Sequence, residues 1–225
     1  MFETADLLAQ RIDHTLVRPD ATFDDLEQAC SDARKYRFAA LIVSSSHVQH
    51  AAKALAGTMV KVGAVVGFPH GMSTTTVKIV EAMEALKNGA AELDIVMNLG
   101  LVRSGKLEQA EIDLKNVIAM TKNAVHKAIV ETGLLTPGEL ETLCRIAQRS
   151  GAEFIKTSTG YGPRGASVED IRLIRQTVGD ACRIKASGGI KDLAAVLALT
   201  EAGADRIGTS AGPAIMEEYL KKSKG

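Results

Sequence analysis

Short apolar runs and longer amphipathic runs alternate along the whole of this 225-residue chain, and that alternation leaves few folds open. The runs that read as strands are Arg11–Val17, Phe38–Ser44, Lys61–Gly67, Glu92–Asn98, Lys127–Thr132, Phe154–Thr159, Arg183–Ser187 and Arg206–Ser210. Helical patterns follow them near 23–36, 46–56, 75–88, 106–124, 138–150, 167–178, 191–202 and 213–221. A strand that is apolar nearly throughout is buried on both faces, and a helix that is apolar on one side is suited to cover it. Eight such pairs therefore imply a parallel sheet with helices packed outside it.

Local signals agree with these elements. Thr136-Pro137-Gly138-Glu139 and Ser167-Val168-Glu169-Asp170 each offer a hydroxyl cap with an acid in the first helical turn. Asn88-Gly89, Ser150-Gly151 and Ala202-Gly203 put glycine where a helix end needs a left-handed residue. Gly89-Ala90-Ala91-Glu92, Gly151-Ala152-Glu153-Phe154 and Gly203-Ala204-Asp205-Arg206 repeat the same passage from helix into strand. The expected architecture is a (β/α)8 TIM barrel, one catalytic domain over 1–225, toward the small end for that fold. An open doubly wound sheet is the second choice, but no GxGxxG follows the first strand.

Lysine plus arginine and aspartate plus glutamate both total 27, so the net charge is zero and no electrostatic footprint for nucleic acid or an anionic membrane appears. The Lys221-Lys222-Ser223-Lys224 segment is expected to be a frayed, solvated end. No apolar run approaches the ~20 residues that span a bilayer, and Met1–Asp6 lacks the basic start of a signal peptide. Cys30, Cys144 and Cys182 are scattered, without a CxxC pair. His47 and His50 share a helical face but lack a third ligand, and His14 and His70 stand alone. The expectation is a cytoplasmic protein with no metal and no cofactor.

Chemistry enters with two lysines. Phe154-Ile155-Lys156-Thr157-Ser158-Thr159-Gly160 and Arg183-Ile184-Lys185-Ala186-Ser187-Gly188-Gly189 read alike, each an apolar strand that ends in a glycine-containing loop. Burying an ammonium costs its hydration, so it must find partners or shed its proton. Strand alternation puts Lys156 and Ser158 on one face, and Lys185 and Ser187 on the corresponding face of the next strand. Adjacent strands lie ~4.8 Å apart, so two inward lysines would repel and one would lose its proton near neutrality, as an amine nucleophile requires. The blander reading has both snorkelling to solvent from strand ends.

On the fourth strand, Asp94, Val96 and Asn98 would face the barrel axis, with Leu93, Ile95 and Met97 toward the helices. Asp94 then reads either as a proton-transfer group or as half of a buried structural ion pair. Gly188-Gly189 and Gly208-Thr209-Ser210-Ala211-Gly212 follow strands seven and eight, where barrels often cradle phosphate on backbone N–H groups. Gly160-Tyr161-Gly162-Pro163-Arg164-Gly165 offers a third wall.

These residues resemble a known family, the class I deoxyribose-phosphate aldolases. The matching stretches are Ile12-Asp13-His14-Thr15-Leu16, Val66-Gly67-Phe68-Pro69, Glu92-Leu93-Asp94-Ile95-Val96, Ile129-Val130-Glu131-Thr132, the two lysine segments and Arg206-Ile207-Gly208-Thr209-Ser210, in the family's order. The resemblance implies a (β/α)8 barrel that reversibly cleaves 2-deoxy-D-ribose 5-phosphate to acetaldehyde and glyceraldehyde 3-phosphate without metal, in deoxyribonucleotide catabolism. It implies Lys156 as the Schiff-base lysine, Lys185 as the neighbour that lowers its pKa and Asp94 as the proton relay. It puts phosphate contacts on Gly160, Gly188, Gly189, Gly208 and Ser210. The implied partner is a small sugar phosphate, and a homo-oligomer, dimer or tetramer, is compatible with it.

Three departures from the family bear on substrate preference and rate. Strand two ends Ile42-Val43-Ser44-Ser45 where many relatives have Cys-Val-Asn-Pro. His70 replaces a small or apolar residue. The nearest counterpart of a C-terminal proton-transfer tyrosine is Tyr219. The alternatives are a different Schiff-base aldolase, a sugar-phosphate isomerase, or a non-catalytic sugar-phosphate binder.

Overall fold

In the computed structural model, which describes residues 2–223, eight parallel strands close into a barrel in simple sequence order, with β8 hydrogen-bonded to β1. The elements are α1 (Ala5–Ala9), β1 (Ile12–Leu16), α2 (Phe23–Tyr36), β2 (Ala40–Val43), α3 (Val48–Ala54), β3 (Lys61–Val66), α4 (Thr75–Lys87), β4 (Glu92–Val96), α5 (Leu99–Arg103) and α6 (Leu107–Met120). They continue with β5 (Val125–Ile129), α7 (Pro137–Ser150), β6 (Phe154–Lys156), α8 (Val168–Val178), β7 (Arg183–Ser187), α9 (Leu193–Glu201), β8 (Arg206–Thr209) and α10 (Gly212–Lys222).

The caps work as the sequence suggests. Thr136 and Glu139 form a reciprocal capping box at α7, Ser167 accepts the Asp170 N–H at α8, and Gly151 closes α7 with φ 91°. A cap of this kind is worth about 1 kcal/mol, so Thr136→Ala would loosen the first turn of α7 without unfolding it. Leu140, Leu143, Cys144, Ile146 and Ala147 then form its buried side. The main apolar core lies between strands and helices and includes Leu93, Ile95, Ile155 and Ile184, the outward residues of their strands, with Met97 just beyond β4.

The barrel interior is divided. Ala40, Ile42 and Val65 make an apolar cluster on β2 and β3, where the Ile42 side chain fills the space a Cβ at Gly63 would need. The remaining strands point charged groups inward. A further buried pair lies outside the barrel, where Lys78 of α4 donates to Asp113 of α6 at 2.7 Å and to the Val96 carbonyl at 2.9 Å.

Several boundaries differ from the sequence reading. β5 ends at Ile129 because Glu131 turns into the left-handed region, φ 54°. β6 is only three residues long, and beyond it the Thr157 hydroxyl donates to the Ser187 carbonyl and accepts the Ser187 N–H, replacing part of the ladder. Asn98, expected on a strand, caps α5 by accepting the Leu101 N–H at 3.2 Å. The helices α1 and α5 escaped notice because five residues hardly establish a period. Lys221 and Lys222 belong to α10, with Lys222 paired to Glu218, so the frayed end is not observed there; Lys224 lies outside the described residues. No helix of the described residues is long and apolar enough to cross a membrane.

Candidate active site

Strand register brings the charged interior together. Lys156 and Lys185 are direct partners across β6 and β7, and Asp94 and Lys127 across β4 and β5. Asp94 Oδ2 accepts from Lys156 Nζ and from Lys185 Nζ, each at 2.8 Å, while Oδ1 accepts from Lys127 Nζ at 2.8 Å. The expected lysine pair is therefore a lysine triad around one carboxylate. Two more acids complete it: Glu92 accepts from Lys127 at 2.5 Å, and Asp13 pairs with Lys185 at 2.6 Å and Lys127 at 3.6 Å. Arg206 closes the base of the cluster against Asp13 and Glu92.

Lys127, Asp13, Glu92 and Arg206 were missed as site residues. Glu92 and Arg206 open their strands, and Lys127 opens the fifth strand as the sequence reads it, where a charged side chain ordinarily escapes to solvent; in the structure β5 begins two residues earlier and Lys127 is its central residue. The available signal was alternation: Lys127 shares a face with Ile129, and Asp13 is opposed to the outward His14, whose ring packs on Phe38 at 5.4 Å.

Burial and charge set the protonation of the cluster. Burial alone raises the Asp94 carboxyl, but Lys127, Lys156 and Lys185 overcome this and hold it well below the ordinary range. Asp13 is likewise held low against burial, by Lys185, Lys127 and Arg206. For Lys127, burial pulls downward and Asp94, Asp13 and Glu92 more than compensate, so its ammonium is firmly charged. Lys156 differs: burial lowers its pKa to about 8, Lys185 and Lys127 push the same way, and Asp94 alone opposes them. Its partners explain the contrast, since Lys127 touches three carboxylates, Lys185 two and Lys156 one.

Above the cluster, at the C-terminal ends of the strands, opens a cavity of about 570 Å³. Its lining comes from the ends of four strands and the loops that follow them: Lys156, Thr159, Gly160 and Tyr161 from β6 onward, Ser187 to Lys191 from β7, Gly208 to Ser210 from β8, and Thr15 to Arg18 from β1. All five residues expected to receive phosphate thus line the same cavity as Lys156. Lys185, Lys127 and Asp94 lie beneath it, fully buried. The β6 and β7 loops are locked together: Ser187 Oγ donates to the Ser158 carbonyl at 2.6 Å, and Ala166 N–H donates to the Ser187 carbonyl at 3.1 Å. Gly165 approaches Gly188 so closely that a Cβ there would sit 2.0 Å from the Gly188 carbonyl oxygen.

None of the three departures lines this cavity, although the cluster that contains Ile42 packs against Val17, which does. The Ser45 hydroxyl donates to Glu81, which also accepts the Gly67 N–H, and so ties β2 to β3. His70 is exposed and outside the lining. Tyr219 is buried in α10, its hydroxyl donating to the Phe2 carbonyl at 2.9 Å, so it is not brought to Lys156. Of the paired histidines, His50 meets Glu27 at 2.5 Å, and both rings lie near Phe23.

Comparison with known proteins agrees with the fold. The chain is 50% identical over 218 residues to the deoxyribose-phosphate aldolase of Methanothermobacter thermautotrophicus, covering 96% of this chain and 97% of the relative. The solved structure titled "QR15, an Aldolase" superposes with a TM-score of 0.93 at 41% identity, covering 96% of this chain and 97% of the other. The tetrameric deoxyribose phosphate aldolase from Aeropyrum pernix gives 0.92 at 31% identity, covering 98% and 94%. The family model described as DeoC/LacD family aldolase matches residues 7–218, and the chain belongs to that family.

Proposed function

We propose that Lys156 is the amine through which this aldolase reversibly cleaves 2-deoxy-D-ribose 5-phosphate to acetaldehyde and D-glyceraldehyde 3-phosphate. Lys185 lowers its proton affinity, Asp94 relays protons, and Gly160, Gly188, Gly189, Gly208 and Ser210 receive the phosphate. One observation carries the reading: of the three lysines on Asp94, Lys156 alone lines the cavity. The substrate assignment is supported by relatives named for that activity at 50% and 47% identity.

The charge balance of the cluster favours the same lysine. Four cations (Lys127, Lys156, Lys185 and Arg206) face three carboxylates (Asp13, Glu92 and Asp94). Loss of one proton evens the count, and the ammonium with one carboxylate partner gives it up at least cost. Neutral Lys156 attacks the substrate aldehyde, and loss of water leaves an iminium ion. Asp94, acting through water, takes the C3 hydroxyl proton; the C2–C3 bond breaks toward the iminium, and glyceraldehyde 3-phosphate leaves. The resulting enamine takes a proton at C2, and hydrolysis releases acetaldehyde and regenerates Lys156. The scheme calls on no metal or cofactor.

Borohydride reduction in the presence of acetaldehyde, followed by peptide mass mapping, tests the assignment. An adduct on Lys156 is expected. An adduct on Lys185 or Lys127 would refute it, and retained phosphate binding with no adduct would favour an isomerase or a binder.

A homo-oligomer, dimer or tetramer, is part of this reading, supported by the tetrameric relative from Aeropyrum pernix and tested by light scattering. A cytoplasmic location suits Cys30, Cys144 and Cys182, which are free and buried.

A further inference from the structure

Glu131 stands at the C-terminal end of β5 in a conformation unusual for its type. Its φ of 54° and ψ of 64° lie in the left-handed region, which glycine and asparagine tolerate and other side chains seldom adopt. It is 4% exposed, it is bonded to none of the three lysines, and it is outside the cavity lining. The scheme above gives it no role.

Its carboxylate is fastened to the neighbouring loop. Oε2 accepts the Thr159 N–H at 3.1 Å and also the Thr159 hydroxyl. That hydroxyl accepts the Tyr161 N–H at 3.0 Å. Oε1 has no hydrogen-bond partner among the described residues and is packed against Gly162, where a Cβ would come within 2.7 Å of it. The segment so held contains Gly160, φ 91°, and Thr159, Gly160 and Tyr161 all line the cavity beside Lys156. The Tyr161 ring reaches on across the mouth, its hydroxyl donating to the Val17 carbonyl at 3.2 Å and its edge against Phe68.

We propose that Glu131 is a positioning residue that holds the 159–162 turn in the shape that receives the substrate's phosphate, an inference that rests on the phosphate site proposed above. The left-handed turn at Glu131 ends β5 and aims the side chain into the next loop. A carboxylate and a phosphate repel, so Glu131 serves by its reach and its acceptor oxygen rather than by its charge. Glutamine should therefore replace it, and asparagine, which is comfortable in the left-handed region but one methylene shorter, should not.

The test uses the full chain with Glu131→Asn and Glu131→Gln, comparing kcat and KM for 2-deoxyribose 5-phosphate and for unphosphorylated 2-deoxyribose. Binding of inorganic phosphate is measured by calorimetry. Loss of both Thr159 hydrogen bonds predicts that E131N weakens phosphate binding about tenfold and lowers the preference for the phosphorylated sugar by a similar factor, through KM. E131Q should stay within about twofold of the parent on both measures. Unchanged phosphate binding in E131N, or equal losses in E131N and E131Q, would overturn the proposal. If E131N does not fold, Thr159→Val removes the hydroxyl link instead and should show the same weakening. Acetaldehyde trapping on Lys156 in the parent reads the proposed function separately, and phosphate calorimetry reads Glu131 whether or not that adduct forms.

Discussion

Replacing Lys185 with methionine keeps the volume of the side chain and removes one charge from the cluster. The ammonium groups of Lys156 and Lys185 each lie 2.8 Å from the same oxygen of Asp94, so their separation cannot exceed twice that distance. At about 5 Å and an effective dielectric of about 20, two unit charges repel by ~3 kcal/mol, equivalent to about two pH units. Asp13 keeps Arg206 and Lys127 at 3.6 Å, so it is not stranded. The substitution also leaves three cations for three carboxylates with Lys156 charged, which removes the incentive to deprotonate. The midpoint for Lys156, about 8 in the parent, should therefore move to near 10 in K185M, still kept from rising further by burial. At pH 7 the reactive fraction falls about a hundredfold, and the deficit closes above pH 10. The assay is the rate of cyanoborohydride trapping with acetaldehyde from pH 6 to 11, read by intact mass, with a thermal melt to confirm folding. A midpoint that stays near 8 while the adduct still forms on Lys156 would refute the tuning role of Lys185.

Stability should respond oppositely to activity at Lys156. Its folded-state pKa, about 8, is below the ordinary lysine value, so between the two the unfolded chain binds the extra proton and stability rises with pH; below about 8 the penalty is complete. Lys156→Met removes that penalty and should add about 2 kcal/mol at pH 7, or roughly 5 °C in melting temperature, with the gain shrinking toward pH 10. A melt at pH 7 that is no higher than the parent's would contradict this. At the loop contact, Gly165→Ala puts a Cβ 2.0 Å from the Gly188 carbonyl oxygen, so the β7 loop must move. We expect KM for the phosphorylated sugar to rise about tenfold with a stability loss of ~1–3 kcal/mol, and wild-type kinetics would show that the loop yields elsewhere.

Strand alternation alone placed Lys156, Lys185 and Asp94 on inward faces because the residues flanking each include plainly apolar ones on the other face: Ile155, Ile184 and Ala186, and Leu93 and Ile95. The same rule applied to Lys127 and Asp13, but Lys127 opens its strand as the sequence reads it, and nothing local shows whether a charge in the lower half of the barrel is sealed in. That depends on closure of β8 against β1, and on Phe154, whose ring lies beneath Arg183 and Arg206. Glu131 was legible only as part of a family motif, since a left-handed backbone at glutamate follows from contacts made by a loop nearly thirty residues away. Tyr219 was assigned by nearness to the chain end, and the partner that decides its position, the Phe2 carbonyl, is 217 residues distant.

The origin of the interior charges by strand has a consequence for how the barrel assembles. Asp13, Glu92 and Asp94 come from β1 and β4, whereas Lys127, Lys156, Lys185 and Arg206 come one each from β5, β6, β7 and β8. A chain cut between β4 and β5 would yield one half with only acids at its centre and another with only bases. Neither could bury its own lining, and each would be the counterion of the other. The seam between the halves is thus where this barrel gains selectivity for its correct closure.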